Sequence, residues 1–175
     1  MKPALVIGYG NPLRSDDGLG WAVADRLAAR FSPETTGVMT VHQLMPEMAE
    51  QVSGAGVVYF VDAAAAGRAG TWNCAKIETA GANDGNALGH HFEPAGLLAY
   101  AGAVFGGTPE AYLVSVAGGS FKCSETLSQE VESVLPEVAD FISGEIQKYQ
   151  QGTTHHAIEH PIVVELPEIM AEGGQ

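Results

Sequence analysis

The sequence predicts an α/β fold with a parallel sheet covered on both faces, and three observations carry that prediction. Ala4–Gly8, Gly56–Val61 and Ala111–Ala117 are short, nearly continuous apolar runs, as strands buried on both faces require. Segments with helical apolar spacing alternate with them. Glycine-rich turns punctuate the joins.

Ala4–Gly8 reads as the first strand. From Gly18 a helix places Leu19, Val23 and Leu27 four residues apart, with Trp21 and Ala28 widening the stripe. Val38–Leu44 reads as a second strand, and Pro46 opens a short helix through Met48 and Val52. Gly56–Val61 follows as the third strand and Thr71–Ile77 as a shorter one. Gly81–Gly89 reads as a mobile loop leading to His90, His91 and a helix from Pro94 to about Phe105. After the strand Ala111–Ala117, Thr126-x-x-Gln129 has the form of a capping box. It precedes a helix with Leu127, Val131, Leu135, Val138, Ile142 and Ile146 at three- and four-residue spacing, in which Pro136 should cause a kink or a split. Residues 1–149 thus read as one α/β domain. The pattern dissolves in 150–175, a partly ordered tail expected to add little to the core, so truncation after Gln150 should barely change stability.

Composition narrows the function. A formal net charge of −13, with 8 scattered Lys and Arg among 175 residues, argues against nucleic acid or an anionic membrane as partner. The five-residue apolar run before Gly8 is too short for a signal peptide, and Ala55–Ala66 is interrupted by Asp62 and too short to span a membrane. Cys74 and Cys123 lack metal-type spacing and read as reduced thiols. A soluble, cytoplasmic protein is expected.

The most informative segment is Gly8-Tyr9-Gly10-Asn11-Pro12-Leu13-Arg14-Ser15-Asp16-Asp17-Gly18-Leu19-Gly20. A strand, a glycine-rich turn and a helix start would suit a phosphate, but Asp16 and Asp17 repel one. Leu13 also stands where a dinucleotide fingerprint needs its third glycine, so no nucleotide cofactor is expected. Sites in parallel sheets form beyond the carboxyl ends of the strands. Asp17 after the first strand, Asp62 ending the third and His90 before the Pro94 helix all fall there. Two carboxylates and an imidazole suit a borderline metal such as zinc, nickel or iron, and three ligands leave coordination positions open. Each residue also has a plainer reading. Asp16 or Asp17 would serve as a helix cap, Asp62 as a turn former, and His91 could replace His90. His42 reads as structural, and the tail cluster His155, His156 and His160 as an exposed polar segment. Ser15 and Ser120 lack a hydrolase nucleophile elbow.

Together the first motif, Phe60-Val61-Asp62-Ala63, His90-x-x-x-Pro94-x-x-Leu97-Leu98 and Leu127-Ser128-Gln129-Glu130-Val131 with Leu135-Pro136-Glu137 resemble the [NiFe]-hydrogenase maturation proteases. The likeness spans roughly residues 3 to 146. It implies a three-layer α/β/α sandwich with a mostly parallel central sheet. It also implies an endopeptidase that removes a C-terminal extension from the nickel-loaded hydrogenase large-subunit precursor. Asp17, Asp62 and His90 take the family's nickel-contacting positions, with catalysis assigned to Asp17 and Asp62 and with Asp16 and His91 as secondary candidates. Nickel then arrives with the substrate. Hydrolysis would be aspartic-type or metal-assisted. The alternative is a non-proteolytic nickel metallochaperone or sensor using the same ligands.

Overall fold

Strand order decides where a site can form, and here it sets the strand that leads into the Asp17 turn beside the strand that carries Asp62. In the computed structural model, which describes residues 1–78 and 93–153, the central sheet has the order β2-β1-β3-β5-β4. The strands are β1 (Ala4–Tyr9), β2 (Thr36–Val41), β3 (Val57–Ala64), β4 (Trp72–Lys76) and β5 (Glu110–Ala117). The first three and β5 run parallel, whereas β4 pairs antiparallel to β5 at the edge. The sheet is therefore mostly parallel, as expected.

Alternation along β1 shows why both faces are covered. Ala4 and Val6 join a core with Leu19, Val23 and Leu27 of α1 (Leu19–Ala28) and the apolar stripe of α4 (Gln129–Gln150). Leu5 and Ile7 point the other way, against α2 (Ala49–Gly54) and Leu97, Leu98 and Ala101 of α3 (Pro94–Phe105). Two cores sandwich one sheet, giving three α/β/α layers. Full burial of a Val, Leu or Ile is worth roughly 1.5–3 kcal/mol, so these alternating rows hold the layers together.

Some local expectations shift. A 3-10 turn, Ser15–Gly18, precedes α1 and carries both acidic residues of the first motif. Asp62 does not end β3. It pairs in register opposite Ser115, and the strand runs two residues further to Ala64. The final helix has Ser128, not Thr126, at its N-cap, and the Ser128 side chain makes no capping bond. Its hydroxyl donates elsewhere, to Asp16. Pro136 does not split α4, which continues for 22 residues. Pro136 and Glu132, whose carbonyl loses its helical partner, both lie on the exposed face, where water can replace the missing bond.

The expected loop Gly81–Gly89, His90, His91 and the tail histidines lie outside the described residues. Among the described residues, no helix is long and apolar enough to cross a membrane.

Candidate active site

The chain leaves β1 for β2 on one side and then returns past β1 to β3 on the other. The carboxyl ends of β1 and β3 thus flank a topological switch point, the usual location of a site in an open parallel sheet. Asp17 follows β1, and Asp62 lies on β3 near its carboxyl end.

Close backbone approach explains the glycines there. A Cβ on Gly20 would stand 2.5 Å from the Val61 carbonyl oxygen and 2.7 Å from the Tyr9 nitrogen. Only glycine lets α1 start directly against the β1–β3 junction. Gly10 has φ of 126°, a conformation few other residues adopt, and a Cβ on it would collide with the Asp17 carbonyl oxygen. The motif's glycines thus serve close packing and chain reversal around the acidic turn.

The two acidic neighbours diverge. Asp17 is half-buried, and its Oδ2 accepts the Asn11 N–H at 3.0 Å. Asn11 Oδ1 in turn accepts the Leu13 N–H at 2.9 Å, which closes the loop on itself. Asp16 is completely buried, and its carboxylate accepts four hydrogen bonds. Its Oδ2 takes the Gly119 N–H at 2.7 Å, the Ser120 N–H at 2.9 Å and the Ser128 hydroxyl at 2.8 Å. Its Oδ1 takes the Ser128 N–H at 2.7 Å. Burial pushes the Asp16 carboxyl up, but the bonds from Ser128, Ser120 and Gly119 outweigh it and hold it below the ordinary carboxylate value. With its oxygens so engaged, Asp16 is a structural clamp and has no room for a ligand. Neither aspartate caps a helix, because no side-chain cap bond forms at the 3-10 turn or at α1.

Asp62 has the reverse balance. Burial pushes its carboxyl up to about 6, against the lowering effect of the Ala63 N–H and the Tyr9 hydroxyl. The charge of Asp17 adds to the rise, so the two carboxylates lie within electrostatic reach of each other. Tyr9 is itself held well above the usual phenol value, first by burial and then by Asp62 and Glu93. The site therefore gathers Asp17, Asp62, Tyr9 and Glu93. Reading the sequence assigned no role to Tyr9 or Glu93. Tyr9 sits inside the first motif at the last position of β1, where a polar tip on a buried run was the available signal.

Other expected roles sort simply. His42 stacks on Trp21 with ring centroids 5.2 Å apart. The Trp21 indole N–H is shared between the Gly10 and Val41 carbonyls, which ties the motif loop to the end of β2. Ser15 donates its hydroxyl to the Thr126 carbonyl at 2.8 Å, a structural bond. Cys74 and Cys123 are free thiols. Among the described residues no three His, Cys, Asp or Glu side chains converge as a metal-holding group. The third expected ligand, His90, and its alternative, His91, lie outside those residues.

The same sheet and helices occur in solved hydrogenase maturation enzymes. The [NiFe] hydrogenase maturation protease HycI from Thermococcus kodakarensis KOD1 matches with a TM-score of 0.66 at 21% identity, over 83% of this chain and 93% of that one. The hydrogenase maturating endopeptidase HybD from E. coli gives a TM-score of 0.66 at 20% identity, covering 86% and 94%. A hydrogenase 2 maturation peptidase from Thaumarchaeota archaeon SCGC_AB-539-E09 gives 0.61 at 25% identity, covering 87% and 100%. This chain has the fold of the hydrogenase maturation proteases. No protein-family model matches it, and a comparison with curated proteins finds no match. The sequence motifs and the fold point to the same family of structures.

Proposed function

We propose that this protein is an endopeptidase that removes the C-terminal extension of a nickel-loaded [NiFe]-hydrogenase large-subunit precursor. The observation that carries the reading is the pairing of Asp17 and Asp62 at the β1–β3 switch point of a maturation-protease fold. Two carboxylates within electrostatic reach, one pushed up to about 6, suit acid–base work near neutral pH. In this reading Asp62 takes a proton from the attacking water and Asp17 helps hold the substrate's nickel. His90 also contacts that ion. Nickel belongs to the substrate and brings the scissile peptide to the carboxylates, and such positioning alone removes several kcal/mol from a barrier. No nucleotide cofactor is involved, and the work is done in the cytoplasm.

The test is mass spectrometry of a nickel-loaded large-subunit precursor before and after incubation with the full chain. Loss of a C-terminal fragment is expected, whereas nickel-free precursor of identical sequence should stay intact. His90→Ala should slow processing severely in a folded protein, and Asp17→Glu should keep more activity than Asp17→Ala. Stoichiometric nickel binding with no change in precursor mass would replace the peptidase with a metallochaperone.

A further inference from the structure

We propose that Asp16 is a positioning residue whose buried carboxylate sets Asp17 at a fixed place relative to Asp62. Its importance for processing rests on the peptidase reading, whereas the positioning itself does not. Residues 118–128 form the bridge. At one end they leave β5, whose Ser115 pairs with Asp62, and the Gly118 N–H donates to the Ala64 carbonyl at 2.9 Å. At the other end they grip the first motif. The Ser124 N–H donates to the Leu13 carbonyl at 3.0 Å, the Ser15 N–H to the Ser124 carbonyl at 2.7 Å and the Asp16 N–H to the Ser120 carbonyl at 3.0 Å. The Asp16 carboxylate closes this zipper with its four accepted bonds.

Asp17 is the next residue in a tight 3-10 turn, so its Cα lies about 3.8 Å from the Cα of Asp16, whose carboxylate is clamped. The turn is entered through Ser15 at φ of 51°, an uncommon conformation for a residue with a Cβ. Such a conformation costs of order 1–3 kcal/mol and persists only where surrounding bonds enforce it. Four donors also demand a group that only accepts. A carboxylate does so, whereas an amide would turn its own N–H toward at least one of them. Motif turn, bridge and β3 therefore form one closed circuit, with Asp16 as its fastener and the two site carboxylates on either side.

Amide hydrogen exchange on the full chain reads the circuit directly, because the Asn11 N–H donates to Asp17 and reports where that carboxylate stands. The wild type, Asp16→Ala, Asp16→Asn and Ser128→Ala are compared, with Val6 in β1 as the reference for global opening and Asp17→Ala as the limit for an unpartnered Asn11. Relative to Val6, Asn11 exchange should rise about tenfold or more in Asp16→Ala and by an intermediate factor in Asp16→Asn. If Asp16→Ala does not fold, Asp16→Asn and Ser128→Ala decide the question. Gly119 and Ser120 losing protection while Asn11 keeps its own would overturn the proposal. With precursor as substrate, Asp16→Asn should lower kcat about tenfold and leave KM within about twofold. An unchanged kcat would remove the functional role. A wild type that does not cleave precursor would defeat the peptidase reading, while the Asn11 exchange would still decide the positioning.

Discussion

Where the first-motif turn meets residues 118–128, a buried carboxylate receives four hydrogen bonds and ionises more readily than a free aspartate. At the carboxyl ends of β1 and β3, Asp62 is helped by the Ala63 N–H and the Tyr9 hydroxyl, faces the charge of Asp17, and holds its proton up to about pH 6. Asp16 has left bulk water completely and Asp62 in part. They differ in how completely the protein replaces the lost hydration. Full replacement makes Asp16 an inert fastener, and partial replacement leaves Asp62 ready to exchange a proton near neutrality. The lesson is that reactivity here follows the deficit of donors.

The largest expected effect separates activity from stability at Asp62. Asp62→Asn removes the proton acceptor and should slow precursor processing by about 100-fold or more. The same change removes a charge that the fold solvates poorly, so at pH 8 the variant should be more stable than wild type by about 1–2 kcal/mol. Calorimetry beside a cleavage assay checks both. A variant that loses stability at pH 8 would mean that Asp62 is as well solvated as Asp16, and the comparison would collapse.

A smaller effect lies in the pH dependence. The folded protein holds the Asp62 proton more tightly than the unfolded chain does. Its stabilising contribution is therefore complete below about pH 4 and is lost as pH rises through about 6. Asp16 has the opposite sign. Its contribution is present above the ordinary aspartate value and fades as pH falls through the lower folded value. Because the net charge of −13 also relaxes on acidification, the useful quantity is the stability of Asp62→Asn minus that of wild type. This difference should be largest above pH 7, shrink through pH 6 and level off near pH 4. A difference independent of pH would show that Asp62 has an ordinary carboxyl in the folded state.

Much of this arrangement can be read in the sequence because it depends on local pattern. The alternation that buries β1 on both faces, the Pro94 start of α3 and the stripe of α4 are all short-range signals. Asp17 and Asp62 stand out because charge follows or interrupts apolar runs. The clamp was not readable in advance, since Asp16 finds its partners more than 100 residues away and a helix cap was the nearest local explanation. Thr126 departs from its local pattern for the same reason. Its carbonyl is engaged by Ser15, and Ser128 takes the N-cap position. Strand order, which creates the switch point between β1 and β3, is likewise a tertiary choice. Tyr9 carries little local signal, because one hydroxyl on a buried strand acquires meaning only when β3 brings Asp62 beside it.

Tyr9 also supplies the finest test of the comparison. Its hydroxyl donates to Asp62 and favours the ionised carboxylate. Tyr9→Phe keeps the ring and removes only that donor, moving Asp62 further from the fully satisfied state of Asp16. Its pKa should then rise above about 6. If Asp62 is the base, the acidic limb of the kcat/KM profile must shift to higher pH by a fraction of a unit to about one unit. At pH 7 this costs at most about twofold in rate, and well above the limb the two proteins should converge. Measuring the whole profile therefore distinguishes lost proton affinity from lost geometry. A uniform fall at every pH would make Tyr9 a packing residue, and a limb moving toward lower pH would contradict the donor assigned to its hydroxyl.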